Sequence, residues 1–144
     1  MWIRSLPLWM VPKKIMNFAC LMHFYKTQKI YGPEFAFQDL PTATTIFSGL
    51  ILSVHPKTRG LGLGKELVTR TNQMAKNRGC SHVYVEATGI YSQAIFKKLN
   101  FQVLHETQYE GVKHKDGSEL FKDTREHKIH QIIALDLSQI EYCN

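Results

Sequence analysis

The chain has 144 residues, 44% hydrophobic and 21% charged, which suits one soluble domain with a real core and leaves too little for two. A net charge of +6 and a pI of about 9.3 favour an anionic ligand. The basic residues are scattered without an aromatic-basic module, and Cys20, Cys80 and Cys143 form no C-x-x-C, so nucleic-acid binding, a zinc finger and a disulfide scaffold are set aside in favour of reduced thiols in a cytoplasmic protein.

Residues 1–11 are apolar with one arginine, but Pro7 and Pro12 interrupt the run and Lys13-Lys14 close it. The run is far short of the roughly 20 apolar residues that span a bilayer, and no small-residue cleavage site follows it. It reads as a weakly hydrophobic tail with no membrane partner. Ile15, Phe18, Ala19, Met22 and Tyr25 recur at helical spacing, which predicts a helix over residues 13–26. Tyr31-Gly32-Pro33 breaks it, and the chain through Thr45 reads as loop.

Residues 46–54 are dense in apolar and β-branched side chains, as expected of a strand buried on both faces. A Pro-containing bend and a glycine-rich loop follow. Leu63, Leu67, Thr71, Met74 and Ala75 then line one face of a helix, with Lys76 and Arg78 in its last turn and Gly79 placed to end it. Residues 82–86 read as a short strand with Val83 and Val85 inside. A second helix is expected over 91–99, with Ala94, Ile95 and Leu99 at core spacing and Asn100 as its left-handed stop. Strands are expected over 101–109 and 129–137, with a polar turn at 114–118 and a hairpin extension through Glu119 and Phe121.

The loop carries the chemistry. Gly60, Gly62 and Gly64 alternate just before a helix, so several backbone N–H groups face outward with no side chains in front of them. Such a concavity binds phosphate through oriented amides and the positive end of the helix dipole. A Walker loop is excluded, because Gly64-Lys65 is followed by Glu66 and Arg59 stands where the first glycine belongs. The dinucleotide fingerprint also fails, since Lys65 occupies its third glycine position. A plain strand-to-helix turn is the bland alternative. What fits is Arg-x-x-Gly-x-Gly, carried by Arg59, Gly62 and Gly64, which resembles the pyrophosphate signature of the GNAT superfamily of acetyl-CoA-dependent N-acetyltransferases.

A second block supports that resemblance. Residues 86–101, Glu-Ala-Thr-Gly-Ile-Tyr-Ser-Gln-Ala-Ile-Phe-Lys-Lys-Leu-Asn-Phe, together with Ile51-Leu52-Ser53-Val54-His55-Pro56, resemble insect-type arylalkylamine and dopamine N-acetyltransferases. The resemblance covers about residues 46–137 and implies a GNAT-like α/β domain, a mixed sheet flanked by helices. The first strands usual in that family are not visible, which reads as an N-terminally truncated or divergent version. The expected division is a segment over 1–45 with one helix, an acetyl-CoA-binding domain over 46–138, and a tail over 139–144.

The resemblance also implies site residues. The main-chain amides of Gly60, Leu61, Gly62, Leu63, Gly64 and Lys65 would hold the diphosphate of acetyl-CoA, with Arg59 and Lys65 adding charge. Leu52 and Val54 would pair with the pantetheine arm, and the Val54 N–H would face the thioester oxygen. Many members protonate the departing thiolate with a tyrosine on the second helix, where this chain has Phe96, expected instead to pack against the coenzyme arm. The insect-type enzymes place hydroxyls at positions matching Ser92 and Thr88, the catalytic candidates. A helix N-cap is the structural alternative for Thr88, and an ordinary first-turn residue for Ser92. The family's glutamate base belongs to a segment not recognised here, and Glu34 lies in no matching context. His55 reads as a solvated loop residue rather than a base, Glu86 as a structural polar contact with a base as the alternative, and His127 and His130 as surface residues, with one of them facing the amine pocket as the alternative. The implied reaction moves an acetyl group from acetyl-CoA to a small primary amine, with no metal. Its alternatives are a CoA-binding remnant and a protein N-acetyltransferase.

Overall fold

The computed structural model describes residues 33–140. The chain divides into two compact units between Phe35 and Ala36. The apolar run at 1–11 and the helix expected over 13–26 lie outside the described residues.

The loop expected after Gly32 is instead a short helix, α1 (Pro33–Asp39). Proline suits a first helical position, because its missing N–H has no partner there and its φ is preset. The far end of α1 is tied to the sheet: Asp39 Oδ1 lies 2.7 Å from His105 Nε2, and the buried Tyr84 hydroxyl also bonds Asp39.

Four strands make one mixed sheet in the order β1-β2-β4-β3, formed by β1 (Ile46–Gly49), β2 (His82–Ala87), β3 (Gln102–Gln108) and β4 (Ile129–Asp136). β1 runs parallel to β2, from Ile46 opposite His82 to Gly49 opposite Val85. β4 inserts antiparallel between β2 and β3, with an irregularity in β3 between Val103 and His105. Parallel neighbours need a crossover, and α2 (Leu63–Asn77) supplies it between β1 and β2. α3 (Ile90–Lys98) links β2 to β3.

The strand expected over 46–54, buried on both faces, stops at Gly49. β1 has β2 on one side and no strand on the other among the described residues, so propensity past Gly49 finds no ladder to join. Leu50 and Ile51 are 73% and 83% exposed. β2 meanwhile continues to Ala87, paired with β4 alone. The chain from Leu50 to Val54 therefore parts from the end of β2.

α2 is rotated relative to the expected stripe, of which Ala75 keeps its buried place. Gly64, Val68 and Asn72 face the core with it, whereas Leu63, Leu67 and Met74 are 41%, 48% and 39% exposed. Two apolar stripes overlap on this helix, and the small residues decide which one approaches the sheet. Val68 and Ala75 pack with Val83, Val85, Ala87, Ile133 and Leu135 of the strands, and Phe96 and Phe101 complete the cluster. In α3, Ala94 is exposed rather than buried; Phe96 takes the core place. Asn100 and Gly79 adopt φ of 60° and 80°, the left-handed stops anticipated. The hairpin extension reduces to a single bridge between Lys113 and Glu119 and does not reach Phe121, whose ring sits 4.7 Å from that of Tyr109. Among the described residues no helix is long and apolar enough to cross a membrane.

Candidate active site

The glycine loop is built in three steps. His55 caps a 3-10 turn (Pro56–Thr58), its Nδ1 accepting from the Lys57 N–H at 3.3 Å. Gly60 and Gly62 then take φ of +82° and +76°, where side-chain residues are strained, and a Cβ on either would meet nothing within 4 Å. The space in front of each is open. Gly62 caps α2 without any side-chain acceptor. The N–H groups of Leu63, Gly64 and Lys65 thus have no acceptor within the helix and sit at its positive end. Glu66 is the first whose N–H returns to a helical carbonyl, Gly62 O at 3.1 Å. Arg59 and Lys65 flank these amides and are exposed, as are Leu61 and Leu63. The loop fits a diphosphate by this criterion: bare donors, a dipole, flanking cations and no side chain in front of Gly60 and Gly62.

The start of α2 is pressed against two other segments. A Cβ at Gly64 would stand 2.8 Å from Ile95 Cδ1 of α3 and 3.7 Å from Val54 Cγ2. Leu52 packs against the edge of the core. The parted segment carrying Leu52 and Val54 is therefore seated beside the loop.

The end of β2 holds the other candidates. Thr88 is exposed and is not the N-cap of α3; that position is Gly89, with no side-chain bond of its own. The cap comes from 37 residues away: His127 Nδ1 accepts from the Ile90 N–H at 3.2 Å. Its ring lies so close that a Cβ on Gly89 would be 3.1 Å from it. Ser92 Oγ donates to Gly89 O at 2.8 Å, leaving its lone pairs free. Tyr109 is buried, which pushes its phenol well above the ordinary range, and it donates to Thr88 O at 2.8 Å. Gln93 Nε2 donates to Ala87 O and Ile129 O, and Tyr91 donates to Glu126 Oε1. Phe96 lies in the core at 5% exposure, its ring 4.9 Å from Phe101 and T-shaped to it, so little of its surface is open to a coenzyme.

Neither late histidine is the surface residue expected. His127 caps α3, and His130 is buried. No local spacing signals either role. Burial pushes His130 down from 6.5 to about 4. The unfolded chain then takes up a proton that the fold refuses, so stability present above about pH 6.5 is lost as pH falls toward 4. The shift corresponds to about 3 kcal/mol. Denaturant unfolding across that pH range should show this slope in the native chain and not in His130→Phe; equal slopes would contradict it.

Residues 39–101 match the acetyltransferase (GNAT) family model. Arylalkylamine N-acetyltransferase 2 from Aedes aegypti superposes with a TM-score of 0.70 at 24% identity, covering 88% of this chain and 56% of that one. Drosophila melanogaster polyamine N-acetyltransferase, an enzyme that forms N-acetylagmatine, gives 0.57 at 24% identity over 63% and 44%. Mosquito arylalkylamine N-acetyltransferase like 5b gives 0.56 at 21% identity over 62% and 42%. The chain spans about half the length of these structures. It has the GNAT fold.

Proposed function

We propose that this domain binds acetyl-CoA and transfers its acetyl group to a small primary amine of the arylalkylamine class. The observation that carries the reading is the open space beside Gly60 and Gly62 at a helix start whose Leu63, Gly64 and Lys65 amides have no helical acceptor, next to a segment that has parted from β2. The amides take the diphosphate, and Arg59 and Lys65 neutralise its charge. Past Gly49 the backbone at Leu52 and Val54 has left the ladder with β2, which frees it to pair with the pantetheine arm. The Val54 N–H is the proposed donor to the thioester oxygen, where a fixed donor stabilises developing negative charge.

The ammonium loses one proton to solvent water, and its nitrogen adds to the acetyl carbon to give a tetrahedral oxyanion. That adduct expels the sulfur as thiolate while the nitrogen sheds its second proton to water, and the thiolate takes a proton. Ser92 is the proposed donor, with Thr88 as second candidate. Ser92 Oγ points its proton at Gly89 O, and rotation about its Cβ–Oγ bond redirects it. The scattered cysteines support a cytoplasmic setting. The amine class follows the second sequence block and what the superposed structures are named for.

Thiol release from acetyl-CoA, measured with tryptamine, dopamine, agmatine and a lysine peptide, tests the reading. An arylalkylamine should accelerate it most. Binding of acetyl-CoA without release in any mixture would leave a coenzyme-binding protein; acceleration by the peptide alone would make proteins the substrate. Ser92→Ala should lower kcat by roughly 100-fold, the usual scale of a lost acid catalyst, and Thr88→Ala by less.

A further inference from the structure

We propose that Gln93 is a positioning residue for this reaction, its carboxamide tying the ends of β2 and β4 together and so fixing the turn that carries Thr88 and Ser92. The inference rests on the transferase reading above. The main-chain ladder between β2 and β4 ends where Ala87 faces Gln131. Beyond it Gln93 Nε2 donates to Ala87 O at 3.0 Å and to Ile129 O at 2.8 Å. Two carbonyl partners require the NH2 side of the amide, and both its donors are then used. Ala87 directly precedes Thr88, and Gln93 directly follows Ser92. One side chain thus joins the last residue of β2, the first residue of β4 and the first turn of α3.

The location makes the bond consequential. On its other side β2 has already lost β1, whose pairing ends at Gly49 opposite Val85. The end of β2 therefore takes part of its position from side chains. Tyr109 holds Thr88 O and His127 holds the Ile90 N–H, each fixing one peptide, whereas Gln93 bridges two strands. Proton delivery to a thiolate is steep in distance, so a turn displaced by about an ångström loses rate while the coenzyme loop is untouched.

The test uses the intact chain. Gln93→Leu removes both bonds; Gln93→Glu keeps the shape, repels both carbonyls when ionised, and donates again once protonated. Gln93→Leu should lower kcat roughly 10- to 100-fold with the KM for acetyl-CoA within about twofold. In a Ser92→Ala background the same change should cost almost nothing further, because the two act through one step. Gln93→Glu should regain activity relative to the native chain as pH is lowered. Fully additive losses, or parallel changes in kcat and KM, would overturn the proposal. Amide hydrogen exchange reads the same contact without turnover. Exchange at Ile90 and at position 93, whose N–H groups bond His127 Nδ1 and Gly89 O, should quicken at least tenfold in Gln93→Leu while Val83 and Val85 keep their rates. Unchanged exchange in the turn, or acceleration throughout the sheet, overturns the proposal; an inactive native chain sinks the transferase reading while this exchange result still decides the role of Gln93.

Discussion

Replacing Gly64 with valine should lower acetyl-CoA affinity by at least 100-fold in calorimetric titration. A Cβ at this position would lie 2.8 Å from Ile95 Cδ1, the mobile tip of a side chain, which could give way to a single methyl. Valine adds two branches, and Val54 Cγ2 waits 3.7 Å from the Cβ on another side. Overpacking of this kind costs about 1–3 kcal/mol, and the cheapest relief is to lift the first turn of α2. That movement displaces the N–H groups of Leu63, Gly64 and Lys65, which the diphosphate needs as a set. Gly62→Ala is the informative control. Its Cβ meets nothing within 4 Å, so only the left-handed φ of +76° is strained, at about 1–2 kcal/mol. A smaller loss of affinity is expected there. Affinity of Gly64→Val within threefold of the native chain would contradict the cradle geometry.

Replacing Phe96 with alanine should destabilise the fold by about 3–5 kcal/mol, the range for deleting a buried ring. Against a total of about 5–15 kcal/mol for a small domain, that is a large share. Phe96 is 5% exposed and meets Phe101 edge to face at 4.9 Å, inside the cluster that also holds Val83, Val85 and Ile133. Truncation leaves a cavity between α3 and the sheet that neither element can close alone. Denaturant midpoints with unchanged slopes would measure the loss. A cost below about 1 kcal/mol would mean the ring is not the anchor described.

How much of this was legible in sequence depends on how local each cause is. Gly79 and Asn100 announce the ends of α2 and α3 because a left-handed residue is a property of one position. The glycine loop was equally plain, since alternation of glycines before an amphipathic run needs no distant partner. The extent of β1 was not legible: Leu50 to Val54 have strand-forming side chains, but a ladder needs a neighbour in register. Nor was most of the face of α2, where Gly64 and Val68 outrank Leu67 and Met74 through closeness of approach, although Ala75 is buried as expected. The least legible features join residues far apart. His127 reaches Ile90 and Gln93 reaches Ile129 across more than 30 positions, and no spacing rule connects those pairs.

Titration of the intact chain with coenzyme A by calorimetry bears most directly on the reading. One saturable site is expected, competed by acetyl-CoA and almost abolished when pantetheine, which lacks the diphosphate, replaces the whole molecule. No heat with coenzyme A, or equal affinity for pantetheine, would contradict the assignment of the loop amides to the diphosphate.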